Sequence, residues 1–278
     1  MSRFWLLFAL FCASAFGAAE PDPIQASLQR MYDFDFPASH EILDGYIAEH
    51  PQDPLPYAFR ASAYLFYELD RLGILESEFL IDDKQIAQKK AKLDPDPVNR
   101  AKFMKAVADA QSRADSALKV NPEDRQALFA MCIAQGVATD YMAFVEKKQI
   151  SSLSVAKRSN GYAQRLLKLD PKFYDAYLTA GITEYMLGSL PFFIRWFVKF
   201  DNVDGSKQRG VERLQLVARE GRYFKPFAKI LLSIIALREK RPHDAQQLLI
   251  ELARDYPRNR LFRKELGKLN AQVGITAN

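Results

Sequence analysis

The chain has 278 residues, and its 39 Lys and Arg against 34 Asp and Glu leave a net charge of +5. The two signs are interleaved, as in the R-K-E-L-G-K run from Arg263, which suits solvated helix faces and excludes the basic stripe of a nucleic-acid binder. Only two cysteines occur, one of them (Cys12) in the N-terminal leader, so the remainder of the chain has no pair for an internal disulfide.

Residues 1–19 read as a secretory signal peptide. Arg3 supplies the positive charge, residues 4–16 are almost unbroken in apolar side chains, and Gly17, Ala18 and Ala19 are the small residues expected before cleavage. The apolar run is shorter than the roughly 20 residues that span a bilayer, and bulky Phe11 before Cys12 does not suit lipidation. The expected protein is therefore exported, periplasmic or secreted, with residues 20–278 as a single domain and no later run able to cross a membrane.

Ile24, Leu28 and Met31 recur at helical spacing, and Pro37 opens a second helix that runs to about His50. Residues 56–72 and 99–120 form the next pair, split by an insertion at 73–98. That insertion is acidic, then lysine-rich, and closes on D-P-D-P, which predicts a short charged helix between loops. Residues 123–148 read as one long helix, followed by a helix from Ser151 to Asp170 with Ser151 or Ser152 as its cap. The fourth pair begins near Phe173, its first helix ending on a left-handed Gly188. An aromatic crossover over 189–203 then leads to a helix at 205–220. Residues 223–240 and 242–256 make the fifth pair, and a helix over 259–273, apolar on one face and charged on the other, is expected to cap the stack.

One pattern runs through these pairs. Twelve residues before Pro51, Pro122, Pro171 and Pro257 stand Ser39, Ala110, Ser159 and Ala245, and four before them stand Ile47, Leu118, Leu167 and Ala253. First helices place Ala61, Cys132 and Gly181 four residues after Tyr57, Leu128 and Tyr177. Second helices repeat a further contact at Leu43, Ala114, Ala163 and Leu249. In these positions the chain resembles the tetratricopeptide repeat family, whose unit is two antiparallel helices meeting through alternating small and large residues. The prolines are spaced 71, 49 and 86 residues apart, against about 34 in that family, so most units carry insertions or lengthened helices. The resemblance implies an all-α fold, an α-solenoid of about five antiparallel helix pairs closed by a C-terminal capping helix. It also implies a groove lined by Ala58, Ser62, Phe129, Ile133, Leu178 and Ile182, with Tyr185 nearby, suited to a protein or peptide partner.

No constellation for chemistry stands out beside this pattern. His40, His50 and His243 lie near helix ends without metal-ligand spacing. There is no G-x-S-x-G elbow, and the D-G-S-K-Q-R-G-V run from Asp204 reads as a turn leading into a helix rather than a phosphate cradle. Cys132 sits in an apolar run as a small buried filler, while Glu76, Glu78, Asp82 and Asp83 read as solvated side chains of the insertion. The expectation is a non-enzymatic scaffold of the bacterial cell envelope that needs no cofactor or metal and binds a protein or peptide. The alternative is a membrane-peripheral protein held through residues 190–200, where Phe192, Phe193, Trp196, Phe197 and Phe200 surround Arg195 and Lys199.

Overall fold

Four prolines fix one turn, used four times. The tetrapeptides around Pro51, Pro122, Pro171 and Pro257 close through N–H groups of Asp53, Asp124, Phe173 and Asn259 donating to the carbonyls of His50, Asn121, Asp170 and Tyr256, at 3.0 to 3.1 Å. The residue before each proline leaves the helical region, with φ between −126° and −143°, because the pyrrolidine ring disfavours helical geometry there. The preceding helix must therefore stop. The fourth residue of three of these turns then starts the next helix with its side chain: Asp53 accepts from Leu55 N–H, Asp124 from Ala127 N–H, and Asn259 from Leu261 and Phe262 N–H. Tyr57 and Tyr177 repeat a further detail, each hydroxyl donating to the carbonyl of the proline six residues earlier.

The structure is a computed structural model and describes residues 22–77, 81, 93–190 and 205–276. Among these residues there is no strand, and eleven α-helices pack in neighbouring pairs. In chain order they are α1 Pro23–Tyr32, α2 Phe36–Glu49, α3 Leu55–Arg71, α4 Pro97–Val120, α5 Arg125–Asp140, α6 Gln149–Leu169, α7 Tyr177–Ser189, α8 Lys207–Glu220, α9 Lys225–Arg238, α10 Pro242–Asp255 and α11 Arg260–Thr276. The signal-peptide reading, most of the 73–98 insertion and the aromatic residues Phe192, Phe193, Trp196, Phe197 and Phe200 lie outside the described residues.

Small residues set how closely paired helices approach. Ser39, Ala110, Ser159 and Ala245 are all buried, as are Leu43, Ala114, Ala163 and Leu249. Ser39 Oγ meets Ser27 Oγ at 2.8 Å between α1 and α2. Glycine plays this part between α7 and α8: a Cβ on Gly210 would stand 2.6 Å from Tyr185 N and 2.7 Å from Gly181 O. Gly188 belongs to the same contact rather than to a left-handed terminus. It lies inside α7, and a Cβ there would meet Lys207 N at 2.5 Å.

Two other boundaries differ from expectation. The long helix expected over 123–148 ends at Asp140 and continues as a single π turn, Tyr141–Val145, in which Glu146 N–H donates to Tyr141 C=O. Tyr141 is fully buried there with its ring stacked 4.5 Å from Phe103. Ser151 and Ser152 lie inside α6 and do not cap it, since Ser152 Oγ donates back to the Gln149 carbonyl. The stretch Arg125–Val145 is long and apolar enough to cross a membrane by length and composition, contrary to the expectation that no such run follows the leader. Most of it is buried against neighbouring helices, and Ala127 to Ala134 belong to the core.

The two ends of the stack meet. Gln25 and Gln29 of α1 donate to the carbonyls of Arg222 and Asp255, and Asn259 Nδ2 donates to the Tyr32 carbonyl at 2.6 Å. The helix expected to cap the stack, α11, turns its charged face onto the first half of the chain. Arg260 pairs with Asp70 at 2.5 Å, and Lys264 with Glu76 at 2.9 Å. Glu76 is thus a paired residue rather than a solvated one, and its bond from Lys264 holds its carboxyl below the usual range.

Candidate functional site

The groove positions implied by the repeats fall in two hydrophobic clusters, Ala58, Phe129 and Ile133 in one and Leu178, Ile182 and Tyr185 in the other, and they face protein. Ala58, Ser62, Phe129, Ile133, Leu178 and Tyr185 are buried and Ile182 is half-buried. Phe129 has Phe173 at 4.8 Å, Phe224 at 5.8 Å and Tyr223 at 6.0 Å between ring centroids, and Phe59 beside it meets Tyr223 at 5.2 Å. Phe66 on α3 meets Phe227 on α9 in the same way, at 5.5 Å. Tyr223 and Phe224, in the turn between α8 and α9, therefore cover Phe59 of α3 and Phe129 of α5, the positions where an open groove was expected.

One carboxylate holds that turn in place. Asp175 accepts the backbone N–H groups of Arg222, Tyr223 and Phe224 at 2.9, 3.0 and 2.8 Å, satisfying the donors of the turn that leads into α9. Burial raises the Asp175 pKa, and the three N–H bonds counter it. Gly221 fits because a Cβ would come within 2.6 Å of Val217 O and 3.1 Å of Asp175 Oδ1.

Where the two ends of the stack meet, a cavity of about 300 Å³ remains, walled by Leu28, Tyr32, Tyr223, Pro226 and Tyr256 and edged by Gln25, Gln29, Arg222 and Lys225. Burial pushes the hydroxyls of Tyr32, Tyr223 and Tyr256 well above the ordinary tyrosine range, so they stand as neutral polar groups. Arg222 is already engaged, its Nη2 lying 2.7 Å from Asp22 Oδ2 and its guanidinium 5.0 Å from the Tyr223 ring centroid. Aromatic walls, two amides and a cationic edge suit a side chain with an apolar body and an acidic end.

Cys132 is buried, with Thr179 Oγ1 at 3.2 Å and Ser159 Oγ at 3.8 Å, and burial raises its thiol pKa. A thiol kept protonated and enclosed is a packing group. Among the described residues no three His, Cys, Asp or Glu side chains gather as a metal would need. Asp175, Asn259, Gln25 and Gln29 were not singled out in the sequence, since each bonds a segment remote from its own, and Lys225 belongs to no local pattern. Only the position of Asp175, just past the Pro171 turn where the other turns carry a capping side chain, offered a local hint.

Comparisons with family models, curated proteins and solved structures find no match to this chain.

Proposed function

We propose that the chain is an exported, tetratricopeptide-like scaffold that performs no chemistry and binds a segment of a protein partner in the cell envelope. The observation that carries this reading is the fourfold turn, with buried small residues at a constant distance before it, because a repeated helix pair favours a rigid surface over a catalytic cavity. The partner segment would use the cavity between α1 and the α8–α9 turn, placing an apolar side chain against Tyr32, Tyr223 and Tyr256 and a carboxylate toward Lys225. Little ordering would be required of the scaffold, which lowers the entropic cost of binding.

Crosslinking capture from envelope extract tests this. Wild-type chain should recover a defined partner, and Lys225→Glu, an exposed change, should weaken its recovery about tenfold through charge reversal. Recovery of no partner, or of the same partner equally well by Lys225→Glu, would sink the reading.

A further inference from the structure

Gln25 and Gln29 stand one turn apart on α1, about 6 Å along its axis. Both reach across the seam, their Nε2 groups donating to the carbonyls of Arg222 and Asp255 at 3.2 and 3.3 Å. The two amides frame the edge of the cavity of about 300 Å³, and Leu28 and Tyr32 lie buried beside them on the same helix. A helix is about 10–12 Å across, so none passes between the amides. What enters is a single side chain, since about 300 Å³ is the lower end of the range for ligand pockets.

Tyr32 and Tyr256 set the kind of side chain. Their ring centroids are 5.4 Å apart and their planes 54° from parallel, and rings inclined in this way pair edge to face with a further ring. The cation that an aromatic box would otherwise take is supplied by the chain itself, because the Arg222 guanidinium lies 5.0 Å from the Tyr223 ring centroid. An uncharged aromatic ring is the group that remains.

Charge around the cavity selects what that ring carries. Arg222 and Lys225 are the charged residues of the lining, which includes no acid, and Arg222 is met by Asp22. Of the acids just outside, Asp175 accepts three backbone N–H groups, Asp33 accepts the Arg258 N–H, and Asp255 pairs with Arg254 and Lys229. Lys225 is exposed and makes no ion pair among the described residues. One positive charge beside the ring site is therefore left for a carboxylate. Inside a peptide chain that carboxylate belongs to a residue other than the one bearing the ring, and the backbone must continue past the frame in both directions. At a C-terminus the ring and the carboxylate belong to one residue. The Oε1 atoms of Gln25 and Gln29 accept no bond among the described residues, which leaves them for the N–H groups of the last residues of such a chain.

We infer that the occupant of the cavity is the C-terminal residue of a protein partner, an aromatic side chain against Tyr32 and Tyr256 with its α-carboxylate on Lys225. This rests on the scaffold reading and narrows it from a segment to a chain end.

Fluorescence anisotropy with a labelled glycine-serine hexapeptide ending in phenylalanine tests the proposal, using the chain from Glu20 onward, which keeps every described residue. The free-acid peptide should bind about tenfold more tightly than its C-terminal amide, and about tenfold more tightly than the same peptide ending in alanine. Lys225→Gln should bring acid and amide to within about twofold of each other while Tm stays unchanged, since the side chain is exposed. Unlabelled 3-phenylpropionate, which has the ring and the carboxylate but no peptide N–H, should compete about tenfold less well than the unlabelled peptide. Equal binding of acid and amide, an acid preference kept by Lys225→Gln, no binding of any peptide, or 3-phenylpropionate competing as well as the peptide would each overturn it. Capture from envelope extract is independent of these readouts. A partner recovered there while acid and amide bind alike would retain the scaffold and remove only the chain end.

Discussion

Asp22 Oδ2 and Arg222 Nη2 meet at 2.7 Å across 200 residues of sequence. The arginine is exposed, so the pair adds only a few tenths of a kcal/mol. Ring contacts do more to join the two halves, with Phe59 buried among Phe129, Tyr223 and Phe224.

Phe59→Ala is accordingly expected to cost about 3–5 kcal/mol, and Asp22→Asn, which removes the charge but keeps an oxygen to cap Ile24 N–H, less than about 1 kcal/mol. Urea unfolding of both variants reads the difference. Equal losses would mean that the ion pair, and not the aromatic cluster, holds the ends together.

Asn259 and Asp124 occupy the same place in their turns, but only Asn259 also bonds the opposite end of the stack, through Tyr32 C=O. Asn259→Ala should cost about 2–4 kcal/mol against about 1 kcal/mol for Asp124→Ala. Chemical denaturation curves that place the two together would remove the distinction.

Two glycines separate crowding from helix propensity. Gly210→Ala forces a methyl against backbone 2.6 Å away and should destabilise by about 2 kcal/mol or more. Gly161 lies inside α6 with nothing within 4 Å of its would-be Cβ, so Gly161→Ala should stabilise by about 0.5–1 kcal/mol. Opposite shifts in Tm are the expected signature.

The pH dependence combines two opposed groups. Asp140 is half-buried, and burial pushes its carboxyl up to about 7. Its folded pKa lies above the unfolded value, so its contribution is full below about pH 4 and is lost as pH rises toward 7. His40 is lowered to about 4 by burial, with Arg60 adding to the effect. It stays neutral in the fold while the unfolded chain takes up a proton, so stability falls as pH drops from about 6.5 toward 4. Asp140→Asn should therefore stabilise by about 1–3 kcal/mol at pH 8 and change little at pH 4. His40→Gln should raise stability at pH 4.5 relative to pH 8, because the Asp140 effect is then unopposed. Thermal melts across this range would refute the assignment if the Asp140→Asn gain were constant with pH.

The helix pairs were legible because proline, a small residue twelve positions earlier and an apolar residue four positions earlier are local signals with local causes. The meeting of the two ends was not. The repeat put Phe129 in a groove open to a partner, and nothing local told that the covering group is Tyr223, far downstream. Gly188 shows a second limit, since glycine marks both left-handed helix ends and close backbone approach, and only the position of α8 decides between them. The π turn at Tyr141 left no trace because the i to i+5 bond of Glu146 changes no residue type. The tyrosine-walled cavity stayed hidden for the reason the seam did: its lining comes from three stretches that meet only in the fold.

The joined ends also bear on how the chain is made. In an open array each added unit can settle on the one before it, so growth from the N-terminus is rewarded at every step. Here α1 and the inner faces of α3 and α5 wait for residues 222 to 259 before these contacts form, and long-range pairing of this kind is slow to close. During synthesis, Phe59, Phe66 and Phe129 stay wettable until α9 emerges, and that interval is when a holdase would matter most.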